Sequence, residues 1–203
     1  MIRFLLLSFV LVCSFSASAA PNILVLGDSI SAGLGLHQNQ GWVSLLQQRL
    51  ISKDYPHKVI NASISGETSS GGLRRISSVL DKHHPKVVII ELGANDGLRG
   101  LKLSQLRSNL SDITDLSLRR QAKVLLLGMQ LPPNYGPAYT KAFSNVFIEV
   151  SKDKQVSIVP FLFSGFESDL QYFQADQIHP NAQAQTLMLD NIWPTLSRLI
   201  KIH

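Results

Sequence analysis

Apolar residues along this chain recur in two alternating rhythms. Unbroken runs rich in β-branched residues appear at ILVLG (23–27), KVINAS (58–63), KVVIIELG (86–93), KVLLLGM (123–129) and VSIVPF (156–161). Between them the apolar positions fall three and four residues apart. Trp42, Leu45, Leu46 and Leu50 share one helical face. The same holds for Leu73, Ile76 and Leu80, for Leu106, Leu110 and Ile113, and for Ala184, Leu187, Met188 and Ile192. Strands without polar alternation, separated by helices, predict a parallel sheet covered on both faces. Five such strands with about five helices make one α/β domain, a three-layer α/β/α sandwich built on a five-stranded parallel sheet.

Such a sheet also says where chemistry belongs, because ligands bind outside the carboxyl ends of parallel strands. The residues that follow the runs are Gly27-Asp28-Ser29, Ser65-Gly66-Glu67, Gly93-Ala94-Asn95-Asp96 and Gln130-Leu131-Pro132. Ahead of the last helical segment stands Asp176-Gln177-Ile178-His179-Pro180. Pro180 predicts the first turn of that helix, which leaves Asp176 and His179 in the loop before it.

Composition narrows the class. The chain has 203 residues, 45% of them apolar and 16% charged, as a globular domain requires. Its first residues differ from the rest: Arg3, then FLLLSFVLVCSF, then Ala17-Ser18-Ala19. A charged start, a short apolar middle and an A-x-A site form the pattern of a secretory signal peptide. The run is shorter than the roughly 20 residues of a spanning helix. The expectation is therefore a signal peptide over 1–19, cleaved after Ala19, and a single domain over 20–203 that is periplasmic or secreted. Cys13, the one cysteine, departs with the peptide, so neither disulfide nor thiol chemistry is expected of the mature chain. The net charge of +5 drops by one with Arg3. The remaining basic residues are scattered, without a nucleic-acid motif. They predict no nucleic-acid partner and a weak attraction to anionic membrane surfaces; the chain is expected to be a monomer.

The polar segments at the strand ends can be assembled into one chemistry. A serine hydroxyl becomes a nucleophile when a base takes its proton, and histidine is the usual base near neutral pH. The histidine in turn needs a carboxylate to fix its tautomer and stabilise its charged form. Ser29, His179 and Asp176 supply these three groups. Attack on an acyl carbonyl creates an oxyanion, for which the N–H groups of Ser29 and Gly66 and the side-chain amide of Asn95 are candidate donors. Taken singly, each piece also reads as a turn, a helix cap or a surface histidine. Order and placement set the group apart: three signals on strand ends and one on the final loop complete a single catalytic set. Ser31 and Ser65 are alternative hydroxyls without matching partners. Asp96 is expected to hold its own loop.

These segments resemble the SGNH, or GDSL, serine hydrolase family. The blocks are LGDSIS, NASISGET, ELGANDGLRG and DQIHP, and the stretches GMQLPPNYG (128–136) and VPFLF (159–163) add to them. The likeness spans nearly the whole mature chain and is strongest to the secreted bacterial thioesterases, lysophospholipases and arylesterases. It implies a flavodoxin-like sheet of order 2-1-3-4-5. It implies Ser29 as nucleophile, Asp176 and His179 as its triad partners, and Ser29, Gly66 and Asn95 as the oxyanion hole, with no cofactor and no metal. One departure is Ala94, where close relatives often carry a second glycine. The implied reaction is hydrolysis of acyl esters and thioesters, including lysophospholipids, aryl esters and acyl-CoA-type substrates. The Gly97–Gly100 segment resembles the family's mobile substrate-sensing loop. Leu98, Arg99, Leu131, Pro132, Tyr135 and Ile178 are candidate substrate-binding residues. Two alternatives remain at this stage: a carbohydrate acetylesterase of the same superfamily, and a non-enzymatic flavodoxin-like binding module.

Overall fold

The computed structural model describes residues 20–201. The predicted signal peptide and Cys13 lie outside the described residues. Five parallel strands form one sheet: β1 (Asn22–Gly27), β2 (Lys58–Asn61), β3 (Val87–Glu91), β4 (Lys123–Leu127) and β5 (Ser157–Val159). Their order is β2-β1-β3-β4-β5, as the family resemblance implies. β1 lies between β2 and β3, and Gly27 stands opposite Glu91 in the register.

Helices cover both faces. Packed side by side on one are α3 (Ser69–His83), α5 (Leu103–Arg119) and α6 (Pro137–Lys154); on the other, α2 (Trp42–Ser52) lies against α7 (Ala184–Leu199). The predicted apolar faces point inward: Trp42, Leu46, Leu50, Ile76, Leu80, Leu106, Leu110, Ile113, Met188 and Ile192 are all buried. The central strands β1 and β3 are buried almost throughout, as two covered faces demand. The edge strands β2 and β5 are only half-buried.

Three features differ from the sequence pattern. First, α6 lies outside the helical segments read from the sequence. Pro137 takes the first helical position, where its missing N–H costs nothing, and Phe143, Val146, Phe147 and Val150 form a buried stripe. Second, two single-turn helices follow strand ends, α1 (Ser29–Ala32) and α4 (Ala94–Leu98). Third, Pro180 does not open α7. It pairs as an isolated antiparallel bridge with Phe173, and the helix begins at Ala184. That bridge ties down the loop which carries Asp176 and His179.

Candidate active site

The carboxyl edge of the sheet gathers the predicted residues. Ser29 lies two residues beyond the end of β1 and begins α1. Asp28 is the N-cap of that turn: its Oδ1 accepts the N–H of Ile30 at 3.0 Å. Ser29 is thus held at the first position of a helical turn, where its own N–H has no preceding turn to bond to.

His179 approaches from the loop before α7. Its Nε2 lies 2.8 Å from Ser29 Oγ, and its Nδ1 lies 2.6 Å from Asp176 Oδ2. A carboxylate can only accept, so Nδ1 carries the ring hydrogen and Nε2 is free to accept from the serine hydroxyl. The loop is built locally. Asp176 Oδ1 accepts the N–H groups of Ile178 and His179, at 2.9 and 3.0 Å. Between them Gln177 adopts a left-handed conformation, with φ of 58°. A side chain rarely takes that conformation, and here the paired turn contacts impose it. Gln174 accepts the loop's return, its N–H donating to the His179 carbonyl at 2.8 Å and its Nε2 to Leu34 O and Pro180 O. Partial burial pushes the Asp176 carboxyl up. The backbone N–H groups of His179 and Ile178, and the His179 ring, outweigh it and bring the group down to about 2.

The candidate donors Gly66 and Asn95 lie on the segments that follow β2 and β3. Gly66 has a φ of 78°, the left-handed region that suits glycine, and its carbonyl accepts from Arg99 Nη2 at 3.0 Å. Among the described residues its N–H meets no acceptor. Asn95 lies in the first turn of α4. Both hydrogens of its Nδ2 are engaged, by Asp28 Oδ2 at 3.1 Å and by Glu67 O at 3.0 Å. An oxyanion at this position would share one of them. Asp96 turns away and caps α3 from another loop, accepting the N–H and hydroxyl of Ser69 at 2.8 and 2.6 Å. That is the holding role expected of it, exercised on a neighbouring helix.

An apolar cavity of about 440 Å³ opens beside the serine. Its lining includes Ile30, Ala94 and Ile178, the chain neighbours of Ser29, Asn95 and His179. Leu98, Leu131 and Pro132 line it too, with Phe161, Phe163 and Phe173 at its wall. Of the candidate substrate-binding residues, Arg99 and Tyr135 are not part of this lining. They brace the loop that is: Arg99 through Gly66 O, and Tyr135 through its hydroxyl, which donates to Leu98 O at 3.0 Å.

Sequence reasoning missed one group. Glu91 ends β3 fully buried, with its carboxyl beside Asp28 and Ser31. The available signal was a single charge closing an otherwise apolar strand, VVIIE.

Known proteins match this chain along most of its length. The sequence model described as the GDSL-like lipase/acylhydrolase family matches residues 25–187. Esterase TesA of Pseudomonas aeruginosa is 50% identical over 200 residues, covering 98% of this chain and 100% of that one. Thioesterase 1/protease 1/lysophospholipase L1 of Escherichia coli K12 is 38% identical over 192 residues, covering 95% and 91%. A crystal structure of TesA superposes with a TM-score of 0.86 at 51% identity, covering 88% of this chain and 99% of that chain.

Proposed function

This chain belongs to the GDSL-like lipase/acylhydrolase family of SGNH serine hydrolases, and from that premise we propose that Ser29 is its nucleophile, His179 the base and Asp176 the group that orients the base. The protein is a serine esterase and thioesterase; the non-enzymatic alternative falls with family membership. The single observation that carries the residue assignment is the unbroken relay from Ser29 Oγ through His179 to Asp176, at 2.8 and 2.6 Å.

The reaction is acyl transfer to water. His179 Nε2 takes the hydroxyl proton as Ser29 Oγ attacks the carbonyl carbon. The negative charge that forms on the carbonyl oxygen is met by the N–H groups of Ser29 and Gly66 and by Asn95 Nδ2, all fixed before the reaction starts. Asp176, held ionised by its turn, stabilises the imidazolium. His179 then returns the proton to the departing alcohol or thiol, leaving an acyl-serine. Water enters, gives its proton to His179 and attacks the acyl carbon; the bond from that carbon to Ser29 Oγ then breaks, His179 Nε2 returns the proton to Oγ, and the acid leaves.

The apolar cavity beside Ser29 suits an acyl chain better than a sugar. Medium to long acyl esters and thioesters, lysophospholipids among them, are the substrate class. The enzyme acts as an exported monomer. Weak association with lipid surfaces is supported by the exposed apolar side chains of Leu34, Ile64, Leu101, Leu170 and Ile178 on the loops at this edge.

Ser29→Ala is the test. Its kcat on an aryl ester and on an acyl thioester should fall by about 10⁴, and a fluorophosphonate probe that labels the wild type at Ser29 should no longer react. Retained hydrolysis would end the assignment. A panel running from acetylated sugars to long acyl esters separates the acetylesterase alternative, which requires the sugar arm to win.

A further inference from the structure

One buried carboxyl group takes no part in the steps above. Glu91 stands opposite Gly27 in the sheet, with no exposed surface. Its Oε2 accepts the Ser31 hydroxyl at 2.7 Å and the Asp28 N–H at 3.3 Å. Gly27 makes the approach possible: a Cβ there would lie 2.8 Å from Glu91 Oε2 and 2.7 Å from Ser31 Cβ. Asp28 and Ser31 bracket Ser29 along the chain. Asp28 also caps Ile30 and takes a hydrogen bond from Asn95 Nδ2, and Asn61 Nδ2 holds the Ser31 carbonyl at 2.8 Å.

We propose that Glu91 is a positioning residue for the nucleophile: it ties both sides of the Ser29 turn to β3 and so fixes where Oγ meets His179. The proposal rests on Ser29 being the nucleophile, as read above. Its protonation state follows from its surroundings. Burial, and the neighbouring charge of Asp28, push the Glu91 carboxyl well above the ordinary range, against the pull of the Ser31 hydroxyl. The titratable groups that face it are Asp28, at the end of β1, and beyond Asp28 the His179 ring. Ser31 from α1 and, through Asp28, Asn95 from α4 supply neutral donors. Glu91 therefore keeps its proton to higher pH than an ordinary carboxyl group. Oε2 receives two donors, and Oε1 has no hydrogen-bond partner among the described residues. Loss of that proton sets a second negative charge against Asp28 and loosens the turn that carries Ser29. The rate then falls on the alkaline side through a group that never touches the substrate.

The experiment compares Glu91→Gln and Glu91→Leu with the wild type, measuring kcat and KM on a soluble aryl ester from neutral to strongly alkaline pH. Glu91→Gln keeps the shape and the acceptor without an ionisable proton. Its kcat should stay within about threefold of wild type at neutral pH, and its alkaline fall should vanish. Glu91→Leu should lose roughly tenfold in kcat, the worth of about one hydrogen bond, with KM unchanged. A leucine variant with wild-type kcat, or a glutamine variant that keeps the alkaline fall, overturns the proposal. Should the leucine variant not fold, Ser31→Ala removes one of the two ties. It should lower kcat several-fold without moving KM, and wild-type kcat there counts equally against the proposal. Ser29→Ala run in parallel separates the two failures, since an active Ser29→Ala enzyme would sink the nucleophile assignment itself.

Discussion

Asp176 uses its two oxygens for two purposes. Oδ1 closes the turn to Ile178 and His179, and Oδ2 orients the imidazole. Because the group sits at about 2, it stays ionised throughout the working range, and the acid limb of activity is not its doing. Asp176→Asn should leave the turn largely intact but offer Nδ1 an amide, and kcat should drop by roughly 10²–10⁴ with little change in melting temperature. A loss of only a few-fold would show that His179 orients itself. His57 shows the opposite electrostatics. It is buried, and burial lowers its pKa below the usual 6.5. Its Nδ1 has no hydrogen-bond partner among the described residues. The folded protein thus binds fewer protons here than the unfolded chain, so stability is fully present above the ordinary histidine range and declines as pH falls below it. His57→Phe should flatten the dependence of melting temperature on pH in the mildly acidic range. A variant with the wild-type slope would refute this. Ser29, Asp176 and His179 could be proposed from the sequence because each sits in a short polar block at a predictable edge. Glu91 and His57 were not. Their importance lies in burial beside particular partners, which only the packed structure supplies.

At the scale of elements, α6 was not among the helical segments read from the sequence, although the stripe of Phe143, Val146, Phe147 and Val150 has clear helical spacing. Pro180 misled in the other direction, since a proline before a helical pattern normally opens the helix. Here the pairing of its loop with Phe173 wins. The 132–139 segment has a further consequence. The Tyr135 hydroxyl donates to Leu98 O, and the Tyr139 hydroxyl to Gly97 O at 3.3 Å. Two phenols, one just before α6 and one in its first turn, thus fasten the turn that brings Leu98 to the cavity wall. Gly100, with a φ of 65° and open space around it, closes the segment on the far side. The double variant Tyr135→Phe/Tyr139→Phe keeps both rings and loses both fastenings. Its KM for long acyl esters should rise several-fold, while its kcat/KM for acetyl esters stays within about twofold of wild type. Equal effects on both chain lengths would rule out a role in holding the chain-binding wall.

The whole molecule is polarised. Among the described residues the exposed large apolar side chains are Leu34, Ile51, Ile64, Leu101, Leu118, Tyr135, Leu170 and Ile178. Topology puts all but Ile51 and Leu118 on loops or single 3₁₀ turns at the carboxyl edge of the sheet; those two lie in the last turns of α2 and α5. The strand pattern made this edge legible as the place for a site, but not as an apolar rim, because a single leucine in a polar loop carries no signal until its neighbours in space are known. Hydrogen bonds join the loops into one surface: Gln174 reaches Leu34 O, Arg99 reaches Gly66 O, and Tyr135 reaches Leu98 O. The cavity opens among them, with Leu170 and Ile178 on its wall. An acyl chain drawn from a micelle or bilayer would cross water at a cost of about 0.8 kcal/mol per methylene. Seating the rim against the lipid shortens that crossing, and the excess positive charge of the chain favours anionic lipid. Leu34, Ile64 and Leu101 belong to the rim without lining the cavity. Changing all three to serine should leave hydrolysis of a soluble short-chain ester at the wild-type rate, while hydrolysis of lysophospholipid presented in anionic vesicles, and sedimentation with those vesicles, should fall several-fold. If the triple variant handles vesicle-borne and soluble substrates in the wild-type ratio, the enzyme takes its lipid from solution and the rim plays no part in its capture.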